Sequence, residues 1–277
     1  MGLNWLESII YGFLSGFTEF LPICPEGHRT LFLQMIGATD DSGLRLSVHF
    51  GALLALLTLC TPMIVKLNRE RKIASVTQKR RKRQPDMRSL MDIRLLKSAC
   101  IPFLICTALY PFVAKLGQQL WILAILLFVN GCILYFPQFY PHANKDALTL
   151  STSDAVAIGF GGGAGVLPGI SRVGSALSVA SLRGADRRYV LDIIFLLCLP
   201  VMLVLLVFDF FAFMAGIGAI TFLSVLCYLC ATLTSFAGAY IGICMMRFFA
   251  VRVGFSGFAF YSWGLALLTF ILFLMIS

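Results

Sequence analysis

Charge is what this 277-residue chain has least of: Lys, Arg, Asp and Glu together make up 13% of it. A soluble domain carries roughly a quarter charged residues, so the soluble globular class is excluded. Basic residues outnumber acidic ones by 22 to 13, but the excess is confined to one place. The segment 66–97 holds twelve basic and three acidic side chains, whereas the other 245 residues hold ten of each. No basic groove is therefore spread over the fold, and nucleic acid is not an expected partner. The first apolar stretch is not preceded by a basic region and contains Glu7 and Glu19, so it does not read as a cleavable leader. The nine cysteines are scattered through apolar segments without a second ligand pair beside Cys227-x-x-Cys230. They read as packing residues rather than as a redox or zinc site.

What the chain does have is long apolar runs, with 59% hydrophobic residues. A helix crossing a bilayer needs roughly 20 of them in sequence. Spans are expected at Leu46–Val65, Ala99–Ala114, Leu120–Phe136, Val190–Phe213, Ile217–Met246 and Phe255–Ile276. The expected fold class is an all-α polytopic membrane bundle of about six spans. Two further stretches, Leu3–Ile36 and Ala155–Leu182, are broken by Pro and Gly and carry polar groups near their centres. Irregular backbone at membrane depth survives only where protein or a wet cavity covers it, so both read as re-entrant helix–loop–helix hairpins. Aromatic pairs such as Phe210-Phe211 suit lipid-facing surfaces.

Lys and Arg in the short loops set the orientation. Segments 66–97, 137–154, 183–188 and 247–252 carry them, while 115–119 and 214–216 hold only Lys115. Basic loops in the cytoplasm, with both termini outside, let the six spans alternate without conflict. Lys79-Arg80-Arg81-Lys82-Arg83 then reads as a cytoplasmic anchor for anionic headgroups. The two hairpins also resemble each other: Gly12-Phe13-x-x-Gly16 leads to Leu21-Pro22, and Gly159-Phe160-x-x-Gly163 leads to Leu167-Pro168. Similar hairpins of opposite orientation mark an inverted-topology repeat. The expectation is a single membrane domain over 1–277, with repeats at about 1–114 and 155–277 joined by a linker at 115–154.

Ionisable groups at membrane depth are expensive and point to function. The first hairpin carries Glu19, Glu26 and His28, and the second carries Gly169, Ser171, Arg172 and Ser175. If the tips meet, these groups share one pocket. An arginine grips phosphate through parallel N–H bonds, and a Gly-rich turn ahead of a helix adds backbone donors. Histidine and glutamate can transfer protons, and glutamate can hold a divalent cation. The set suits phosphate-ester chemistry or phosphate binding. Bland roles compete: Arg172 could bridge to Glu19 or Glu26, and Ser171 and Ser175 could bond helix carbonyls. His49 reads as a satisfied buried histidine, Asp209 as an interface residue, and Asp192 as a partner of Arg187 or Arg188.

The two hairpin motifs resemble those of the undecaprenyl-diphosphate phosphatases of the bacitracin-resistance type, over nearly the whole chain. The family's first motif looks like E-G-x-T-E-F-L-P-x-S-S-T-G-H and its second like P-G-x-S-R-S-x-x-T. Thr18-Glu19-Phe20-Leu21-Pro22, Gly27-His28 and Pro168-Gly169-Ile170-Ser171-Arg172 match. The departures are Ser15 for a glutamate, Cys24 and Pro25 for two serines, and Glu26 for a threonine. Val173 and Ala176 replace a serine and a threonine, while Arg45 and His49 replace a glutamate and a glutamine.

The resemblance implies a bacterial inner-membrane hydrolase that converts polyprenyl diphosphate to the monophosphate and phosphate, recycling the lipid carrier for cell-wall synthesis. It also implies a divalent cation, Mg²⁺ or Ca²⁺, held by Glu19, and a possible homodimer; at the altered positions Glu26 can replace the missing acid as a second metal ligand, and Cys24 a missing nucleophile or donor. Glu19, Glu26, His28 and Arg172 would carry catalysis. Arg172, Ser171, Gly169, Ser175 and Arg45 would bind the substrate. The altered motif leaves a second account open, a carrier or flippase that binds a polyprenyl phosphate without cleaving it.

Overall fold

The computed structural model describes residues 3–39, 41–76, 83–140, 144–216, 221–252 and 256–276. The described residues are helical apart from their turns and one isolated bridge, between Lys145 and Ala185. Six helical segments are long and apolar enough to cross a membrane, so the chain is a polytopic, all-α, multi-pass membrane protein. Its outer surface is apolar, with Phe112, Ile105, Leu233 and Leu267 all exposed.

The first hairpin consists of α1 (Trp5–Glu19) and α2 (Pro25–Ile36), and the second of α7 (Thr152–Gly163) and α8 (Arg172–Leu182). These helices have 15, 12, 12 and 11 residues. At about 1.5 Å per residue none reaches the roughly 30 Å of a hydrocarbon core, as re-entrant segments require. Capping boxes start α1, with Asn4 and Glu7, and α7, with Ser151 and Asp154.

The spanning helices are α3 (Ser42–Ser75), α4 (Met87–Thr107), α6 (Leu120–Tyr135), α9 (Arg187–Ala215), α10 (Phe222–Arg252) and α11 (Ser256–Ile276). Each overlaps an expected span, and several run further at one end. Hydropathy locates the part inside lipid, whereas backbone hydrogen bonding continues until a cap stops it. Aspartates at 41, 86 and 186 cap α3, α4 and α9 well outside the apolar stretches. The expected span Ala99–Ala114 is not one helix. It breaks after Thr107 and resumes as the short α5 (Tyr110–Val113), with Pro111 in its first turn, followed by a 3₁₀ turn over Ala114–Gln118. The start expected at Ile217 falls on residues outside those described, and α10 begins at Phe222. Arginines 80 and 81 with Lys79 and Lys82 also lie outside them, while Arg83 folds back onto Glu70.

The matching glycine motifs do matching work. α1 packs along α10, and α7 along α4. A Cβ on Gly12 or Gly16 would collide with the carbonyls of Ala231 or Ser235, and one on Gly159 with the carbonyl of Ala99. In lipid there is little hydrophobic drive between helices, so close backbone approach through small residues supplies the packing. The pairs α1–α10 and α7–α4 are those that an inverted repeat predicts. α3 packs against α9, and α6 against α11.

Two pairings depart from expectation. Asp209 is not at an interface: it is 1% exposed and bonded to Arg45 and His49 of α3. Two cationic or polar groups one turn apart on α3 draw it inward, which hydropathy of α9 alone does not reveal. Asp192 pairs with Arg247 of α10, at 3.0 Å, rather than with its sequence neighbours, because it faces α10 across the helix interface.

Candidate functional site

The hairpin tips meet. Ser171 caps α8 by accepting the Gly174 N–H at 3.1 Å, and its hydroxyl donates to the Leu21 carbonyl of the first tip at 2.9 Å. Gly169 adopts a φ of 107°, a left-handed conformation open to glycine, and this turn directs its N–H to Cys24 Sγ at 3.0 Å. The same sulfur accepts the Gly27 N–H at 3.4 Å as the cap of α2. The Ser171 N–H donates to Asn130 Oδ1 at 2.9 Å, and Asn130 donates in turn to Ser262 Oγ at 3.0 Å. Thus α6 and α11 buttress the junction through one fully buried amide.

A narrow cavity of about 20 Å³ lies against this junction, lined by Cys24, Pro25, Glu26, Arg29, His49, Tyr110 and Arg172 among others. Glu26 and Arg29 also border a wider polar cleft of about 430 Å³ that includes Thr30, Gln34, Arg45 and Gln118. The two share a wall, so the inner cavity has a polar approach.

Arg172, the first residue of α8, is bonded to Glu19, the last of α1. Glu19 sits behind the guanidinium and does not line the cavity. Glu26, at the start of α2, does line it. Among the described residues no hydrogen-bond or ion-pair partner reaches its carboxylate, although the guanidiniums of Arg29, Arg172 and Arg45 act on it. A chain of bonds runs along the far wall. His49 Nδ1 lies 2.5 Å from Asp209 Oδ2, Arg45 Nε 2.8 Å from Oδ1, and Arg29 Nη1 3.0 Å from His49 Nε2. A guanidinium only donates, so Nε2 must accept. The Nδ1 proton of His49 goes to Asp209.

The structure brings Glu26, Arg172 and Cys24 to the cavity and Arg45 to its approach. It does not bring His28 there. His28 points to the opposite side, where its ring stacks on Tyr261 at 5.7 Å and both nitrogens are engaged, Nδ1 with the Cys24 carbonyl and Nε2 with the Tyr261 hydroxyl, each at 2.6 Å. It borders a separate apolar groove with Leu21, Ile23 and Phe258. The Ser175 hydroxyl donates to the Ser171 carbonyl at 2.6 Å. Ser171 and the Gly169 N–H thus hold the tips together, and Ser175 bonds within α8, rather than facing the cavity.

Sequence reasoning missed Arg29, Tyr110 and Asn130, and gave His49 and Asp209 no part in the pocket. Asn130 stood out as a lone amide in an apolar span, and Arg45 with His49 stood one turn apart. Tyr110 had no signal, because the break in α4 that places it is not marked by hydropathy.

The residues do not fit a resident divalent cation. Hard cations take several oxygen ligands. Here the carboxylate expected at position 15 is Ser15, Glu19 is committed to Arg172, and Glu26 stands alone among guanidiniums. Among the described residues no three His, Cys, Asp or Glu side chains come close enough to share an ion.

The fold and site define a class: a multi-pass helical protein whose two broken hairpins enclose an arginine-rich pocket with a carboxylate, Glu26, that has no partner among the described residues. The family model of the bacitracin resistance protein BacA matches residues 8–268, and the chain belongs to that family. Relatives carrying the name undecaprenyl-diphosphatase include one from Halothermothrix orenii, 30% identical over 196 residues and 70% of each chain. Another, from Methanobrevibacter smithii, is 26% identical over 209 residues, covering 73% of this chain and 74% of that one. A third, from a Nocardioides species, is 25% identical over 206 residues and 73% of each chain.

Proposed function

We propose that this protein is a membrane hydrolase that converts undecaprenyl diphosphate, or a similar polyprenyl diphosphate, to the monophosphate and inorganic phosphate in lipid-carrier recycling. The observation that carries the reading is Arg172, held by Glu19 and facing a pocket that also contains the unpaired carboxylate of Glu26. Arg172 grips phosphoryl oxygens, and Glu26 accepts a proton from water as its oxygen attacks the terminal phosphorus. The bond from that phosphorus to the bridging oxygen breaks, and its electron pair leaves on the lipid monophosphate. No step passes through a metal ion. His28 and the serines act on the chemistry only by holding the loop.

A second reading, a carrier that binds polyprenyl phosphate without cleaving it, is favoured by one observation. The two loop positions expected to be serines are a proline and a thiol already engaged by two N–H donors. Purified protein incubated with polyprenyl diphosphate separates the readings. Phosphate release that Arg172→Gln abolishes supports the hydrolase, and saturable monophosphate binding without release supports the carrier.

The loop distribution of Lys and Arg supports an orientation with segment 66–97 in the cytoplasm and both termini outside, and the family reading supports a bacterial inner membrane. The basic cluster there suits anionic headgroups, and assembly as a homodimer is part of the same family reading.

A further inference from the structure

We propose that Arg29 and Tyr110 form a second phosphoryl subsite, facing Arg172, that makes the pocket select a diphosphate over a monophosphate. The inference rests on the polyprenyl-diphosphate reading above. Of the three arginines around the cavity and its approach, Arg172 has Glu19 and Arg45 has Asp209. Arg29 is 5% exposed, and among the described residues no carboxylate lies within ion-pair distance of it. Its hydrogen-bond partner is Nε2 of His49, at 3.0 Å. Glu26 and Glu19 act on it only from beyond ion-pair distance; a buried cation without a paired carboxylate is expensive, and an arriving anion relieves that cost.

Tyr110 is an independent sign of a ligand. It is 8% exposed, lines the same cavity, and among the described residues its hydroxyl has no hydrogen-bond partner. Buried hydroxyls are nearly always satisfied, so an orphan in the wall of a polar cavity marks the place of a ligand oxygen. Arg29 is among the charged groups that act on Tyr110. A diphosphate has two phosphoryl groups, and the pocket offers two guanidiniums from different hairpins, Arg172 for one and Arg29 for the other. His49, fixed by Asp209, is a positioning residue. By accepting one N–H of Arg29 it leaves the remaining donors for the ligand.

The test uses the full chain in lipid nanodiscs with two probes, farnesyl phosphate and the uncleavable farnesyl methylenediphosphonate. The unsubstituted protein is expected to bind the diphosphonate more tightly. Arg29→Gln should weaken diphosphonate binding by about tenfold or more and monophosphate binding by less than about threefold, as loss of a charged hydrogen bond implies. Tyr110→Phe removes only the unbonded hydroxyl. It should weaken the diphosphonate by about three- to tenfold while leaving unchanged, or raising, the melting temperature of the unliganded protein. Should Arg29→Gln fail to fold, Tyr110→Phe decides. Equal weakening of both probes, or undiminished diphosphonate affinity in Tyr110→Phe, overturns the subsite. Binding is read without cleavage, so the two proposals fail separately. Selectivity without phosphate release sinks the hydrolase, and release with an unaltered selectivity in both variants sinks the subsite.

Discussion

Replacing Asp209 by alanine tests the polar wall of the pocket. The carboxylate is 1% exposed and accepts from Arg45 Nε at 2.8 Å and from His49 Nδ1 at 2.5 Å. Alanine leaves the Arg45 bond unmade and the His49 N–H buried without an acceptor. Breaking a buried charge pair on one side costs about 3–5 kcal/mol. Because Arg45 retains part of its exposure, 21% of the side chain, the lower end, about 3 kcal/mol, is expected. Asp209→Asn keeps the shape and one acceptor, and should cost about half as much, since a neutral bond is worth roughly half a charged one. The assay is equilibrium unfolding in mixed micelles, with His49→Ala alone and in combination. Because His49 is pinned by Asp209, the two losses should fall short of adding by about 1 kcal/mol or more. A cost for Asp209→Ala below about 1 kcal/mol, the range of exposed pairs, with additive losses, would refute the reasoning. It would return Asp209 to the membrane interface.

Other outcomes follow from the same geometry. Gly16→Ala drives a methyl into the Ser235 carbonyl and Gly159→Ala into that of Ala99; each should lower stability by about 1–3 kcal/mol in thermal unfolding. Ser171→Ala removes the α8 cap and the bond to Leu21 and should cost about 1–3 kcal/mol, much of it recovered by Ser171→Thr. His28→Ala loosens the loop through the Cys24 carbonyl, so it should slow phosphate release while leaving the shape of the pH–rate profile unchanged. Loss of one limb of that profile would make His28 a proton carrier after all. With no cation site formed by the described residues, EDTA should change the release rate by less than about twofold, the margin of a group outside the transition state.

Much of this architecture is readable from the sequence, because lipid leaves few options. Apolar runs locate the spans, Pro and Gly with stranded polar groups locate the hairpins, and the shared Gly12/Gly16 and Gly159/Gly163 spacing reports two equivalent helix contacts. The meeting of the tips was legible through Arg172, which needed an anionic partner at membrane depth and finds Glu19. What was not legible depends on side-chain direction. His28 is one residue from Arg29, yet they face opposite sides of α2, one toward Tyr261 and the other toward His49. Ser171 and Ser175 carry the chemistry of ligands, but local bonds to Leu21 and to the Ser171 carbonyl take up their hydroxyls first. The break before Tyr110 is set by packing and by Pro111, and composition cannot say which way the chain turns there.

The central claim is that the pocket between the hairpin tips hydrolyses the terminal phosphoryl group of a polyprenyl diphosphate. It is tested most directly by turning over undecaprenyl diphosphate in ¹⁸O-labelled water with the purified protein and with Arg172→Gln. The account predicts one labelled oxygen in the released phosphate, none in the lipid monophosphate, and no release from a folded Arg172→Gln variant. Label in the lipid product, or release unchanged by Arg172→Gln, would contradict it.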